Sequence, residues 1–181
     1  MHASLVPHPD TAAHAVRSIE VDVGRVEPAE LTLRYRVTGT IADLLLAESA
    51  PPIRTDELWR HTCFEAFLWL RTGYCEFNLS PSSQWAAYSF DDYRSGMTVL
   101  DIPAPAIRTE IGEDALVVRA LVDLSVLETS DTEASWQLGL AVVIEEKNGR
   151  LSYWALAHPA GTPDFHHEDC FVLRLPPARQ R

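Results

Sequence analysis

The 181-residue chain has the length of one domain, and its 46% hydrophobic and 23% charged residues are typical of a folded protein. Acidic residues outnumber Lys and Arg by 26 to 15, and the net charge of -11 disfavours binding to nucleic acid or to an anionic membrane. No apolar run approaches the ~18–20 residues of a transmembrane helix. We therefore predict one domain over residues 1–181, with an ordered core at about residues 5–176, whose partner is a small molecule.

The cellular compartment is predicted from the first residues and from the cysteines. The start of the chain shows no basic segment followed by an apolar one, which is the pattern of a secretory signal. Cys63, Cys75 and Cys170 are odd in number and lack the C-x-x-C spacing, which favours reduced thiols over a disulfide framework. We expect a cytoplasmic protein.

Short runs in which apolar and polar residues alternate dominate the chain, and this period of two predicts strands with one buried face. In chain order the runs occupy residues 19–23, 31–37, 116–122, 138–144 and 171–175. Gly and Pro recur at short intervals and leave room for little helix, at most a turn near residues 82–88 or 124–127. The pattern predicts an all-β, antiparallel β-sandwich of the jelly-roll type with nine or ten strands.

Two hairpins are predicted within this sandwich. Residues 63–70, CFEAFLWL, form an aromatic-rich central strand that pairs with residues 74–79 across Gly73. We expect one face of this hairpin, and not both, to lie in the core. The dipeptide Asn148-Gly149 between two apolar runs predicts a second hairpin with a type I′ turn.

Glu65 interrupts the otherwise apolar central strand, so its carboxylate must either be paired or face a polar cavity. An ion pair with Arg54 or Arg94 is the structural interpretation. The functional interpretation is a ligand site, because polar and aromatic residues collect around residues 59–94 and 153–167. Phosphate-loop, dinucleotide-binding and nucleophile-elbow motifs are absent from the sequence, which argues against nucleotide-dependent enzymes and α/β-hydrolases.

Four segments carry a resemblance to a known family: RTDELWRHTCFEAFLWL, CEFNLSPSSQWAAYSFDDYRSGM, VIEEKNGRLSYWALAHP and PDFHHEDCFVLRL. They resemble the bacterial DOMON-like domain proteins, which are related to family 9 carbohydrate-binding modules. The resemblance implies an antiparallel β-sandwich that binds a small ligand, a sugar in the carbohydrate modules and haem in some other relatives. We expect non-catalytic binding of a sugar or glycan fragment.

The resemblance also implies site residues. Trp59 stands six residues before Glu65, the spacing at which the sugar modules place one aromatic plane ahead of a strand Glu. Phe165 occupies the loop where those modules have a second aromatic plane, formed there by Trp. The full set implied for ligand binding is Trp59, Glu65, Asn78, Trp85, Arg94, Asp164, Phe165 and His166.

No catalytic residue, metal ligand or required cofactor is assigned, but three alternatives stay open. A haem would take Met97 with His158 or His166 as axial ligands. A small hydrolase would use Glu65 and Glu76 as its two carboxylates, brought together on neighbouring strands. A divalent metal would draw on the His-rich end, where His166 and His167 cannot both face one ion on a strand; the candidate ligands there are His158, Asp164, His166, His167 and Asp169.

Overall fold

The computed structural model describes residues 1–11, 13–127 and 135–178. Within these residues the chain forms twelve strands and three single-turn 3₁₀ helices, at Ile41–Asp43, Leu58–Arg60 and Glu168–Cys170. No helix in the described part is long and apolar enough to span a membrane. The strands are β1 His2–Pro7, β2 Val16–Arg25, β3 Glu30–Gly39, β4 Cys63–Trp69, β5 Tyr74–Leu79, β6 Trp85–Phe90, β7 Thr98–Val99, β8 Ala106–Ile111, β9 Ala115–Asp123, β10 Trp136–Glu145, β11 Leu151–Ala155 and β12 Leu173–Leu175.

The all-β prediction is confirmed, with more strands than the nine or ten expected and with helix at other places. All paired strands are antiparallel. The first sheet has the order β1-β2-β3-β9-β8, and the second has the order β7-β6-β5-β4-β10-β11-β1, with β12 also paired to β10. β1 belongs to both sheets, because Leu5 pairs with Ile19 of β2 while Val6 pairs with Ala155 of β11. The two sheets therefore form one continuous, curled structure.

The main core fills the space between the two sheets, and the alternation seen in the sequence supplies it. Tyr35 of β3 and Phe64 of β4 meet there with their ring centroids 5.2 Å apart. Every second residue of a strand points inward, so the core takes one face of each strand. Its fully buried members include Ile19, Val21, Leu31, Tyr35, Val37, Phe64, Ala66, Leu68, Phe77, Leu79, Leu116, Val118, Leu138 and Val142.

The hairpin of β4 and β5 pairs as predicted, with Phe64 opposite Leu79, but the expectation that only one of its faces is buried is wrong. The outer face also packs into a second apolar cluster, which includes Phe67, Tyr88 and Val143. Residues after β11, among them Phe165 and Phe171, cover this face. All three cysteines are free and buried.

The hairpin of β10 and β11 also forms, but its turn is not of type I′. The amide of Gly149 donates to the carbonyl of Glu146, and only Gly149 of the dipeptide has a positive φ, at 82°. This is a type I turn followed by a left-handed glycine, which is the three-residue hairpin loop.

We expect Gly149→Ala to lower the free energy of unfolding by about 1 kcal/mol, because an L-residue is strained in the left-handed region. A Cβ at Gly149 would meet no atom within 4 Å, so backbone strain is the only cost. Gly149→Asn should recover part of the loss, since Asn tolerates this conformation better. Denaturant unfolding of both variants measures the difference, and equal losses would contradict the backbone explanation.

Candidate functional site

Two neighbouring strands bring two carboxylates and an amide to the outer face of the second sheet. Glu65 of β4 lies opposite Asn78 of β5, and Glu76 lies opposite Phe67 two residue pairs further along. The period of two places all three polar side chains on the same face, so Glu65 and Glu76 are diagonal neighbours. They are nearly inaccessible to solvent, with relative exposures of 3% for Glu65 and 5% for Glu76. We call Glu65, Glu76 and Asn78 the polar floor.

Hydrogen bonds satisfy only part of the polar floor. Asn78 Nδ2 donates to Glu76 Oε1 at 2.7 Å, and Cys63 Sγ donates to Asn78 Oδ1 at 3.5 Å. Glu65 Oε1 is buried and has no hydrogen-bond partner. A buried acceptor without a donor costs about 1–3 kcal/mol, more when it is charged.

Neither arginine proposed as the partner of Glu65 forms that ion pair. Arg54 Nη2 instead lies 2.7 Å from Asp56 Oδ1, and Arg94 Nη2 lies 2.8 Å from Asp164 Oδ1. Burial therefore raises the pKa of Glu65 well above its usual value, and the negative charge of Glu76 raises it further. Burial also raises the pKa of Glu76, although the hydrogen bond from Asn78 and the charge of Arg94 oppose that rise.

The segment that contains His166 borders the polar floor. His166 Nε2 lies 3.7 Å from Glu76 Oε2, and His166 Nδ1 lies 2.7 Å from the hydroxyl of Tyr74. Burial, with a smaller contribution from the charge of Arg94, lowers the pKa of His166 to about 4, so the ring is neutral at pH 7. His166 therefore lies beside Glu76, which is the diagonal neighbour of Glu65 on this face.

Arg94 ties the loop after β6 to the segment of Asp164. Its Nε and Nη2 both donate to Asp164 Oδ1, at 3.3 and 2.8 Å, and the hydroxyl of Tyr93 donates to Asp164 Oδ2. Although burial alone would raise it, these hydrogen bonds lower the pKa of Asp164. The backbone of Arg94 is left-handed, with φ 51°, and its amide donates to the hydroxyl of Tyr74 at 3.1 Å. Half of the Arg94 side chain is exposed.

Trp59 lies in the short helix Leu58–Arg60 and is 46% exposed. The neighbouring Leu58 packs into the second apolar cluster, which anchors the helix over the outer face. The chain bends at residues 61–62 before β4 begins. An extended chain would hold Trp59 about 20 Å from Glu65, so this bend is what a shared ligand requires.

Upstream contacts fix the approach to that helix. The amide of Thr55 donates to the carbonyl of Trp85, and the hydroxyl of Tyr88 donates to Asp56 Oδ1 at 2.6 Å. These hydrogen bonds hold residues 54–56 along the edge of β6. The segment that leads to Trp59 therefore starts from a fixed position.

Two of the implied ligand residues do not present a ring to solvent. Trp85 lies on the opposite face of β6 from Tyr88, is 6% exposed and belongs to the main core. Its Nε1 donates to the carbonyl of Pro52 at 3.3 Å. Trp85 is a core residue, and its assignment to the site is corrected. Phe165 is 8% exposed and packs in the second cluster near Tyr153, so little of its ring is available for stacking.

Tyr74 contacts the residues that border the polar floor, but the sequence did not lead us to predict it as a site residue. Tyr74 alternates with Glu76 and Asn78 in the pattern Tyr-x-Glu-x-Asn. This alternation places the three side chains on one face of β5 and could have identified Tyr74 from the sequence. Tyr74 hydrogen-bonds both Arg94 and His166, so it connects the two segments that border the polar floor.

Two of the histidines proposed as metal or haem ligands form hydrogen bonds with backbone groups instead. His158 Nε2 donates to the carbonyl of Val6, and His167 Nδ1 accepts from the amide of Asp169. Met97 is exposed in the loop after β6. Among the residues that the structure describes, no group of three or more His, Cys, Asp or Glu is placed to hold a metal ion.

No protein-family model and no curated protein matches the sequence. Solved structures match the fold. A provisionally assigned carbohydrate-binding protein from Bacteroides uniformis is 12% identical, with a TM-score of 0.63 over 95% of this chain and 84% of that one. A family 9 carbohydrate-binding module from Caldicellulosiruptor kristjanssonii, in complex with cellotriose, is 13% identical, with a TM-score of 0.59 over 93% of this chain and 79% of that one.

The same kind of module from that organism in complex with glucose is 14% identical and has a TM-score of 0.53, over 83% of this chain and 71% of that one. At these identities the likeness concerns the fold. The chain therefore has the β-sandwich fold of carbohydrate-binding modules.

Proposed function

We propose that the chain binds a carbohydrate over the polar floor and catalyses no reaction on it. The unpartnered Glu65 Oε1 carries the proposal, because a sugar hydroxyl is the donor that this buried acceptor lacks. The exposed indole of Trp59 offers a flat apolar surface on which the C–H face of a pyranose ring packs. Membership among the DOMON-like domain proteins related to family 9 modules is part of the same proposal.

The fold supports the ligand class, since modules of this fold are found in complex with cellotriose and glucose. Arg94 and Asp164 supply further charged hydrogen-bonding groups at the border of the site. Because Glu65 is almost inaccessible, ligand entry requires a shift of the side chains that cover the outer face. Titration with glucose and short cello-oligosaccharides, followed by a wider panel of glycans, tests the proposal directly by calorimetry.

We expect Trp59→Ala to weaken the affinity for the sugar found in that panel about tenfold, because the stacking surface is lost. Trp69→Ala is the matched control, since Trp69 is 42% exposed and lies at the far end of β4. It should leave the affinity unchanged within about twofold. Equal effects of the two substitutions, or no sugar binding by the wild-type chain, would refute the proposed site.

A separate experiment tests the proposal that the chain does not hydrolyse its ligand. Glu65 and Glu76 are both buried and Glu76 is hydrogen-bonded to Asn78, whereas hydrolysis of a glycosidic bond needs two carboxyl groups placed at the bond and at its attacking water or anomeric carbon. Prolonged incubation with the bound oligosaccharide should therefore release no new reducing ends. Their appearance in the wild type and loss in Glu65→Gln would instead establish a hydrolase.

A further inference from the structure

A cleft of about 420 Å³ opens beside the turn between β4 and β5. Its walls are the exposed rings of Trp69 and Tyr93, and its rim carries the carboxylates of Asp91, Asp92 and Glu168. Ligand pockets of small molecules typically measure about 300–1,000 Å³, so the cleft has room for a small ligand.

The aromatic walls are held in place before any ligand arrives. Trp69 stacks on Tyr74 with an interplanar angle of 20° and meets Phe171 edge-on, with ring centroids 4.9 Å apart. Tyr93 is held by its hydroxyl, which donates to Asp164. Rings with fixed orientations lose little conformational freedom on binding, which favours a preorganised site.

The carboxylates of the rim have no cation to balance them. Within the described part of the chain, Asp91, Asp92 and Glu168 form no ion pair within 4.0 Å. Arg94, on the same loop as the two aspartates, forms its ion pair with Asp164. His166 on the cleft wall is neutral at pH 7 because burial lowers its pKa to about 4. The cleft therefore presents negative charge next to two exposed aromatic rings, and the only cationic group over either ring is the guanidinium of Arg94, 6.0 Å from the centroid of Tyr93 in the described part of the chain.

We propose that this cleft binds a small organic cation, such as a quaternary ammonium, primary ammonium or guanidinium group. The positive charge lies against Trp69 and Tyr93, whose ring faces attract cations, while Asp91, Asp92 and Glu168 neutralise it. The cleft shares the side chains of Tyr74 and His166 with the border of the polar floor, but the cation site uses neither Trp59 nor the polar floor itself.

The test compares choline with 3,3-dimethyl-1-butanol, its neutral isostere, by titration at constant ionic strength. The indole N–H resonance of Trp69, assigned as the signal missing in Trp69→Phe, reports binding. A saturable shift with choline and none with the alcohol is expected. Butylamine and agmatine, with 1-butanol as the neutral control, then show which cationic group binds best.

Variants separate charge from ring contributions. The double substitution Asp91→Asn with Asp92→Asn should weaken choline binding about tenfold at low salt, and about 1 M NaCl should weaken it in the wild type. Trp69→Ala should weaken it about two- to fivefold, as expected for one exposed cation–aromatic contact and as followed by calorimetry. The matched control, Glu113→Gln with Asp114→Asn on the exposed turn between β8 and β9, should leave it unchanged.

Binding of the alcohol as strongly as choline, an unchanged affinity in the aspartate variant, or no saturable shift with any cation would overturn the proposal. Trp59→Ala distinguishes the two sites experimentally. It should abolish neither the shift of the Trp69 indole resonance caused by choline nor the salt dependence of choline binding. In the wild-type chain, absence of sugar binding together with choline binding refutes only the carbohydrate site, and absence of cation binding together with sugar binding refutes only this one.

Discussion

Trp85→Ala is expected to lower the free energy of unfolding by about 3–5 kcal/mol, the largest effect of any single substitution considered for this chain. The indole is almost fully buried in the main core, so its removal loses apolar burial and leaves a cavity between the two sheets. Denaturant unfolding at neutral pH measures the loss. The carbohydrate affinity of the fraction that remains folded should be unchanged, because the ring faces away from the polar floor.

Trp59→Ala is the matched substitution for this measurement. It removes the same side chain from an exposed position and should change the free energy of unfolding by less than about 1 kcal/mol. A small loss in the Trp85 variant, or equal losses in both, would contradict the assignment of Trp85 to the core and of Trp59 to the surface.

Glu65→Gln is expected to stabilise the folded protein at neutral pH by about 2–3 kcal/mol. The substitution keeps the shape of the side chain and removes a buried carboxyl group whose ionised form has no cationic partner. In the same variant, sugar binding should weaken, because an amide is a poorer acceptor than a carboxylate. Higher stability together with lower affinity is the signature of a residue retained for ligand binding.

The stability difference between Glu65→Gln and the wild type should depend on pH. Burial raises the pKa of Glu65 above its unfolded value near 4.5, so between the two values the folded state holds a proton that the unfolded state has released. The stability of the wild type therefore falls as pH rises through 4.5 towards the folded pKa. The advantage of Glu65→Gln is smallest below pH 4.5 and grows as the pH is raised.

His166 acts in the opposite direction, because its lowered pKa makes the folded state lose stability as pH falls below the ordinary value of 6.5. Both proteins contain His166, so its contribution largely cancels in the difference between them. Glu113→Gln, an exposed carboxylate on the turn between β8 and β9, serves as the control and should change the free energy of unfolding by less than about 0.5 kcal/mol. A destabilised Glu65→Gln variant would show that Glu65 has a stabilising partner in the folded state.

The strands of the sandwich are largely predictable from the sequence, and the polar floor is predictable in part. Alternation identifies β3 and its inward Leu31 and Tyr35, because a strand that half faces water must place apolar residues at every second position. The same reasoning marks Glu65 as an anomaly within an apolar strand. The turn at Gly149 shows the limit of local signals, since Asn-Gly also occurs in the type I turn observed there.

The sequence by itself determined the all-β class, the pairing of β4 with β5 and the position of Glu65 within an otherwise apolar strand. These follow from the period of two, which is a local property of the chain. Only the tertiary structure decided that Trp85 is core while Trp59 is exposed, and that Arg94 binds Asp164 rather than Glu65. Both outcomes depend on how segments far apart in sequence pack together, because the residues after β11 cover a sheet face that the alternation alone leaves open.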